Sequence, residues 1–181
     1  MHFPFLKIVV IVLSSWFVVE QTTTSEIYSY TLKSNNGQDS IALNDFRGKK
    51  ILIVNSATSS HYSNQMAALD SLYRLHKDSL VVIACPSNSF GNESERNEDI
   101  RELMIQRYHV SFLMSEKLDV KGEAISSLYN WLSKRELNGR MNMTVKNDFY
   151  KFMINESGQI IAVFNPEVNP MGPEILDALS K

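Results

Sequence analysis

The strongest nucleophile in this chain is its single cysteine, so the position of that residue is the first clue to any chemistry. Cys85 ends an apolar run, residues 80–85, immediately before Pro86. A cysteine in such a place is most often a small buried hydrophobe, but a thiol at the mouth of a pocket would act as a nucleophile. Because the chain has one cysteine, a sulfenic acid on Cys85 would need an external thiol for its reduction. The inert and the reactive role of Cys85 both stay open on this pattern.

A cluster of hydroxyl side chains forms the second candidate for chemistry. Thr58, Ser59, Ser60 and Ser63 surround His61. A serine beside a histidine suggests hydrolysis, but sequence neighbours rarely point toward each other, and the G-x-S-x-G elbow of serine hydrolases is absent. Serine and threonine also cap helix starts by accepting backbone N–H groups, which is the favoured interpretation. The same helix start is a place where a small anion or carboxylate could bind.

Composition excludes two other classes of function. His61, His76 and His109 are scattered, and no Cys/His cluster has metal-ligand spacing, so we expect neither a metal nor a cofactor. The formal net charge is -2 and the pI is about 6.1, with charges of both signs interspersed. Such a chain lacks the basic field that nucleic acid requires. Its 181 residues, 44% apolar and 21% charged, fit one ordinary globular domain.

Residues 1–24 differ from the rest and are predicted to be a signal peptide or an N-terminal apolar leader. Lys7 precedes residues 8–13 and 16–19, which together form an apolar stretch of about a dozen residues. This stretch is too short to span a bilayer, which takes roughly 20 apolar residues. An uncleaved interfacial anchor and a buried N-terminal segment are the alternatives. We therefore expect an exported protein, periplasmic, in the cell envelope or secreted, whose domain spans residues 25–181.

Strand-like and helix-like segments alternate through that domain. The pattern predicts strands at 27–32, 40–43, 51–54, 80–85, 149–154 and 159–164, and helices at 64–77, 98–108, 125–132 and 174–179. The turn Asn35-Asn36-Gly37 makes a hairpin of the first two strands, and the last two strands form a closing hairpin. Residues 51–54 and 80–85 are apolar throughout, as in parallel strands buried on both faces. We predict an α/β fold with a central mixed sheet flanked by helices and an N-terminal β-hairpin.

Apolar side chains recur at helical spacing inside the predicted helices. In segment 64–77 they are Met66, Leu69, Leu72, Tyr73 and Leu75. We expect this face of the helix to pack on the sheet, because it links two buried strands in a βαβ unit.

Several short motifs follow one another along the domain in a fixed order. They are Ile27-Tyr28, Leu43-x-x-Phe46-Arg47-Gly48-Lys49, Ile51-Leu52-Ile53-Val54-Asn55-Ser56-Ala57, Pro86-x-Asn88-x-Phe90-Gly91, Lys117-x-x-Val120-x-Gly122, Phe149-x-Lys151-Phe152 and Pro166-x-x-x-Pro170. This order resembles that of the glutathione peroxidase family over nearly the whole domain. The resemblance implies a thioredoxin-like fold, with the site where the strand containing residues 54–57 meets the following helix.

The same resemblance implies that the family's catalytic residues are replaced in this chain. Peroxide reduction in the family needs a thiolate or selenolate that attacks an O–O bond. The position of that nucleophile falls on Ser60, and the three supporting positions, usually Gln, Trp and Asn, fall on Ser89, Asn147 and Asp148. A serine hydroxyl is far more basic than a thiol, whose pKa is about 8.5, and oxygen has no sulfenic-acid equivalent. Asp148 would also raise the pKa of a nearby thiol.

Two hypotheses follow from the sequence. In the first, the chain is an exported, glutathione peroxidase-like protein with a degenerate active site and a binding or interaction role. In the second, it is a thiol-dependent peroxidase that reduces hydroperoxides in response to oxidative stress through Cys85. The expected partners are a small anionic ligand at the helix start or, for a peroxidase, a thiol reductant.

Overall fold

The computed structural model describes residues 26–93 and 95–181, and its elements alternate as the sequence predicts. The strands are β1 (Thr31–Lys33), β2 (Ser40–Ala42), β3 (Lys50–Ser56), β4 (Leu80–Pro86), β5 (Leu113–Met114), β6 (Lys151–Ile154) and β7 (Ile160–Phe164). The helices are α1 (Gln65–His76), α2 (Asn97–Tyr108), α3 (Ser127–Ser133), α4 (Arg135–Asn138) and α5 (Pro173–Ser180). β1 and β2 form a hairpin, and the other strands form one sheet in the order β5-β4-β3-β6-β7. The α/β class, the mixed sheet and the N-terminal hairpin are confirmed.

The centre of the sheet is the βαβ unit built from β3, α1 and β4. Every residue of β3 and β4 is buried, because the two strands lie inside the sheet with helices packed on it. They pair in parallel from Lys50 opposite Leu80 to Ser56 opposite Pro86. The predicted apolar face of α1 is confirmed for Met66, Leu69 and Leu72, which are fully buried. Leu75 does not follow the pattern, since its side chain is 69% exposed near the end of the helix.

The closing hairpin completes the sheet on the other side of β3. β6 pairs antiparallel with β3, and β7 pairs antiparallel with β6. Gly158 in the connecting turn has a φ of 83°, a value that glycine adopts without a steric penalty. A Cβ at Gly158 would also lie 2.7 Å from the Tyr28 ring. The turn therefore closes tightly against the beginning of the described chain.

The prediction of a strand at residues 27–32 is wrong for the first half of that segment. Ile27–Ser29 form a 3-10 turn, and the strand is only β1. Ile27 and Tyr28 are both buried, whereas successive side chains of a strand point to opposite faces. A turn can place two consecutive apolar side chains, here Ile27 and Tyr28, in the same core. The sequence pattern did not distinguish such a turn from a strand.

Two cores lie on the opposite faces of the sheet. The first core contains Ile51, Ile53, Ile83 and Cys85, packed against α3. The second core contains the alternate residues of the same strands, packed against α1, α2 and α5. Successive strand residues belong to different cores because the side-chain period of a strand is two.

The predicted leader, residues 1–24, lies outside the described residues, so it stays a prediction. Within residues 26–93 and 95–181, no helix has the length and hydrophobicity needed to cross a bilayer.

Candidate functional site

Ser60 lies in the turn that joins the end of β3 to the start of α1. The Ser60 N–H donates to the Ala57 carbonyl at 3.3 Å, and the Ser60 carbonyl accepts from the Ser63 N–H at 3.0 Å. The Ser60 Oγ accepts from the Tyr62 N–H at 3.3 Å. The residue is 6% exposed. The turn therefore holds the Ser60 hydroxyl inside the protein, at the carboxyl end of a central strand, where open α/β sheets place their ligands.

The second side chain of the site, Asp148, is fully buried. Its Oδ2 accepts from Asn92 Nδ2 at 2.7 Å, while Oδ1 has no hydrogen-bond partner within normal geometry. Burial raises the pKa of the Asp148 carboxyl, and the nearby amide of Asn92, hydroxyl of Ser60 and ammonium of Lys121 oppose that rise. The structure thus brings Ser60 and Asp148 together, as the resemblance implies.

The backbone that presents Asp148 is fixed by Asn55 of β3. Asn55 Nδ2 donates to the Asn147 carbonyl at 3.0 Å, and the Phe149 N–H donates to the Asn55 carbonyl at 2.6 Å. Phe149 has a φ of 64°, in the left-handed region that bulky residues rarely adopt. Strain of this kind persists only where the surroundings impose it, and it concentrates at functional sites. The predicted strand 149–154 therefore begins two residues later, at Lys151.

Ser89 and Asn147 make their hydrogen bonds away from Ser60. Ser89 Oγ accepts from the Val120 N–H at 3.1 Å and from Ser87 Oγ at 3.0 Å. Asn147 is exposed, and its Oδ1 accepts from the Asp148 N–H at 2.9 Å. Of the four positions that the resemblance singled out, Ser60 and Asp148 form the buried pair, and the other two shape the surrounding loops.

Sequence reasoning missed Glu93, a second buried carboxylate, which binds the turn that carries Ser60. Glu93 is fully buried, and its two carboxylate oxygens accept from the Thr58 N–H and the Thr58 hydroxyl, each at 2.8 Å. Burial raises the pKa of the Glu93 carboxyl, and the hydrogen bonds from Thr58 oppose the rise. The Ser59 N–H also donates to the Asn92 carbonyl at 3.1 Å. The loop that carries Asn92 and Glu93 is therefore fastened to the turn that carries Ser60.

Lys151 is a further buried charged residue, and its burial was not predicted from the sequence. Its Nζ donates to the carbonyl oxygens of Phe149 at 3.0 Å, Asn165 at 3.3 Å and Pro166 at 3.4 Å. Burial lowers the pKa of this ammonium to about 8, and the carboxylate of Glu167 opposes the shift. Lys151 joins the strained segment at Phe149 to the loop that follows β7. Lys151 belongs to the motif Phe149-x-Lys151-Phe152, but a lysine at the start of a strand is usually solvated, so the sequence did not predict its burial.

Cys85 lies on the opposite face of the sheet from α1. Its thiol is fully buried in the first core, which also contains Tyr129, Phe152 and Leu128. Burial raises the pKa of the Cys85 thiol to about 12, although the nearby hydroxyl groups of Ser115 and Tyr129 oppose that rise. Cys85 is therefore at the end of a strand next to β3, as predicted, but its side chain points away from the helix that follows Ser60.

Solved structures with the same architecture define the fold class of this site. The chain matches the crystal structure of T. cruzi GPX1 with a TM-score of 0.67 and 21% sequence identity, over 86% of this chain and 95% of that one. It also matches the thioredoxin domain of a thiol-disulfide oxidoreductase from Bacteroides vulgatus with a TM-score of 0.57 and 16% identity. These matches confirm the predicted thioredoxin-like fold.

Sequence comparison narrows the class to one family. The glutathione peroxidase family model matches residues 27–133, more than half of the chain. Glutathione peroxidase of Lactococcus lactis subsp. cremoris is 33% identical over 145 residues, covering 79% of this chain and 91% of the relative. Glutathione peroxidase 1 of Caenorhabditis elegans is 34% identical over 164 residues, covering 87% and 98%. The chain belongs to the glutathione peroxidase family, and this membership supports a peroxidase-like function.

Proposed function

We propose that this chain keeps the glutathione peroxidase scaffold without the family's thiol chemistry, and that it acts as an exported binding or interaction protein. One observation carries the proposal: the side chain at the expected nucleophile position is a serine, buried against the carboxylate of Asp148. Ser60 and Ser89 lie within the matched residues 27–133, and Asn147 and Asp148 follow further along the chain.

The chemistry of the Ser60 pair supports this proposal. A peroxidase cycle oxidises the nucleophile to a sulfenic or selenenic acid and then reduces it, and a hydroxyl oxygen has no such oxidised form. A carboxylate beside the nucleophile also opposes the formation of a second anion there. The Ser60 hydroxyl is a hydrogen-bond partner of the surrounding turn, which is a structural role.

The environment of Cys85 argues against the alternative, a peroxidase that uses this thiol. With a pKa of about 12, only on the order of one thiol in 10⁵ would be a thiolate at neutral pH. Cys85 is also fully buried on the face of the sheet away from α1. A peroxide would have to enter the first core to reach the sulfur.

The two buried carboxylates bear on the expected ligand. Asp148 and Glu93 both lie next to the turn that precedes α1. An anion at this helix start would face two carboxyl groups, so a small anionic ligand is disfavoured. We therefore assign the binding role to the outer surface of the domain.

Peroxide consumption by the full chain tests the proposal directly. Hydrogen peroxide and an organic hydroperoxide are each supplied with glutathione or a dithiol, and the wild type is compared with Cys85→Ser. We expect both proteins to match the rate of the same thiol without protein. Rapid turnover that disappears in Cys85→Ser would show that the alternative is correct.

A reversal experiment tests the placement of the site. In the Cys85→Ser background, Ser60→Cys puts a thiol beside Asp148, and we expect slow but measurable oxidation by peroxide. Adding Asp148→Asn removes a like charge from the thiolate, and adding Ser89→Gln and Asn147→Trp returns hydrogen-bond donors, so the rate should rise at each step.

The matched control for the reversal is Ser59→Cys in the same background, since Ser59 is the exposed neighbour of Ser60. Its thiol should react like that of free cysteine, and Asp148→Asn should leave its rate nearly unchanged. If the folded variant that combines all four site changes with Cys85→Ser reacts no faster than Ser59→Cys, the nucleophile position is placed wrongly.

Export has its own test. The proposed mature protein begins between Val19 and Ser25, a range set by the end of the apolar stretch and the polar residues after it. N-terminal sequencing of the protein from its native host should return a residue in this range. A sequence that starts at Met1 would contradict cleavage of the leader.

A further inference from the structure

A groove of about 410 Å³ lies between two loops of the domain. One loop contributes residues 120–122 and 125 to its lining, and the other contributes residues 142–145. The end of α3 completes the lining. There the Ser133 carbonyl accepts from the Met143 N–H at 2.9 Å, which fastens the second loop to the helix. The groove is therefore held open by backbone contacts within the domain.

This groove adjoins the candidate site at two points. In the first loop, the Val120 N–H donates to Ser89 Oγ at 3.1 Å. The second loop leads directly to Asp148, whose carboxyl also feels the charge of the Lys121 ammonium. A segment bound in the groove would therefore lie next to the loops that surround Ser60 and Asp148.

The lining combines apolar and basic side chains. The apolar ones belong to the first core or pack on it, and they are Val120, Ile125, Met143 and Val145. The basic ones are Lys121 and Lys134, both exposed. Among residues 26–93 and 95–181, no acidic side chain lines the groove, although Asp119 and Glu123 lie in the first loop. The result is an apolar floor bordered by positive charge.

The two lysines have charge available for a partner. In the described part of the chain, neither Lys121 nor Lys134 forms an ion pair. Lys121 Nζ lies 4.1 Å from the centre of the Phe90 ring, a cation–π contact that holds the ammonium in place. Such a contact leaves the ammonium hydrogens able to bind carboxylate oxygens.

We propose that this groove docks an extended acidic segment of another protein, with an apolar side chain of that segment seated on Val120 and Val145. Charge complementarity favours an acidic partner, because the two lysines border the apolar floor. The inference rests on the proposed binding role and names the surface that performs it.

The groove suits a peptide better than a small anion or a membrane. Small anions are commonly held by the N–H groups of a helix N-terminus, whereas α3 contributes its carboxyl-terminal end here. Membrane binding uses apolar side chains that enter the lipid, but this apolar floor is recessed between two loops. An extended segment can place one side chain in such a recess and its carboxylates on the rim.

Fluorescence anisotropy with labelled peptides tests the inference on the full chain. Each peptide carries one leucine or phenylalanine flanked by aspartates and glutamates. We expect saturable binding that Lys121→Glu and Lys134→Glu each weaken about tenfold, since each change replaces an attraction by a repulsion. Lys77→Glu is the matched control, because it alters the net charge equally at the exposed end of α1. Absence of saturable binding, or equal losses in all three variants, would overturn the proposal.

The apolar part of the contact has a separate test. Met143→Gln should weaken binding about fivefold without any change in charge, and Leu75→Gln is its control, at an exposed apolar residue of α1. Replacing the apolar residue of the peptide by serine should weaken binding to the wild type more than to Met143→Gln, because the two changes remove one shared contact. Strictly additive losses would show that the peptide does not lie in the groove.

Vesicles of phosphatidylglycerol distinguish a membrane from an acidic segment. Sedimentation of the chain with these vesicles, lost in Lys121→Glu and accompanied by no peptide binding, would assign the groove to lipid and overturn the proposal. The peroxide assay separates this inference from the proposed function. Peptide binding by a chain that also turns over peroxide would support the groove and contradict only the non-catalytic role.

Discussion

The ends of β3 and β4 lie side by side, yet the chain builds opposite environments there. β3 runs into the turn that holds Ser60, where Asp148, Asn92 and Glu93 supply directional hydrogen bonds. β4 ends at Cys85 and Pro86, and Cys85 is packed among apolar and aromatic side chains. Proximity of two strand ends therefore does not place two side chains in one site. The face of the sheet to which each side chain points decides its chemistry.

Removal of the Tyr129 ring, which lies near Cys85, should have the largest effect on stability. Tyr129 is fully buried, and its ring meets that of Phe152 edge-on, with centroids 6.1 Å apart. Tyr129→Ala should lower the free energy of unfolding by about 3–5 kcal/mol, since it leaves a cavity in the first core. It should also let a thiol reagent reach Cys85 in the native protein. Urea unfolding and thiol labelling measure the two effects.

Tyr73→Ala is the control for this prediction. Tyr73 is half-buried on the other side of the sheet and meets Phe112 edge-on at 6.3 Å. Its removal should cost less stability and leave Cys85 unreactive. If Tyr129→Ala lowers the free energy of unfolding no more than Tyr73→Ala does, then packing around Cys85 contributes less to stability than its burial indicates.

The second prediction concerns pH and has an intermediate magnitude. The Cys85 thiol has a pKa of about 12 in the folded state, well above the ordinary thiol value of about 8.5. Above pH 9 the unfolded chain loses this proton while the folded chain keeps it, so the thiol's contribution to stability declines as pH rises. Relative to Cys85→Ala, the wild type should lose about 2 kcal/mol of unfolding free energy between pH 9 and 10.5.

Urea unfolding of the wild type and Cys85→Ala at several pH values measures this difference. Other titrating groups are common to both proteins, so their contributions largely cancel. Parallel pH profiles would mean that the Cys85 thiol is as well solvated as in the unfolded chain.

The smallest expected effect on stability is that of Ser60→Ala, which removes one hydroxyl from the turn after β3. The Tyr62 N–H loses its acceptor, and we expect a loss of about 1 kcal/mol in unfolding free energy. The pKa of Asp148 should rise further, because the Ser60 hydroxyl now lowers it. Urea unfolding and carboxyl ¹³C NMR titration measure these changes. Ser59→Ala, at the exposed neighbour, should change neither quantity appreciably, and equal effects of the two variants would contradict the buried role of Ser60.

Much of the fold could be predicted from the sequence because its central elements have strong patterns. The apolar runs of β3 and β4 have no other stable place than the middle of a sheet, and the predicted bounds differ from the observed ones by one or two residues. The two-residue strand β5 and the four-residue helix α4 were missed. Elements this short have too few residues for a period to be recognised.

The site was predictable only in part. The resemblance identified Ser60 and Asp148, whose side chains the fold brings together. The burial of Glu93 and Lys151 was not predicted, because acidic and basic residues are almost always solvated and nothing local marks the exceptions. The left-handed backbone of Phe149 carries no sequence signal either, since it is imposed by Asn55 from a distant strand.

The position of β6 next to β3 has a consequence for synthesis of the chain. The Asn55 side chain of β3 binds the Asn147 carbonyl, 92 positions later, and β6 begins only at Lys151. At a translation rate of about 5–20 residues per second, β3 waits roughly 5–20 seconds for the strand that will lie beside it. During that interval one side of β3, whose central residues Ile51–Val54 are apolar, is unpaired, and contacts at such long range are slow to form. The nascent protein therefore exposes apolar surface beside β3 until β6 has been made, and Asp148 can reach Ser60 only late in synthesis.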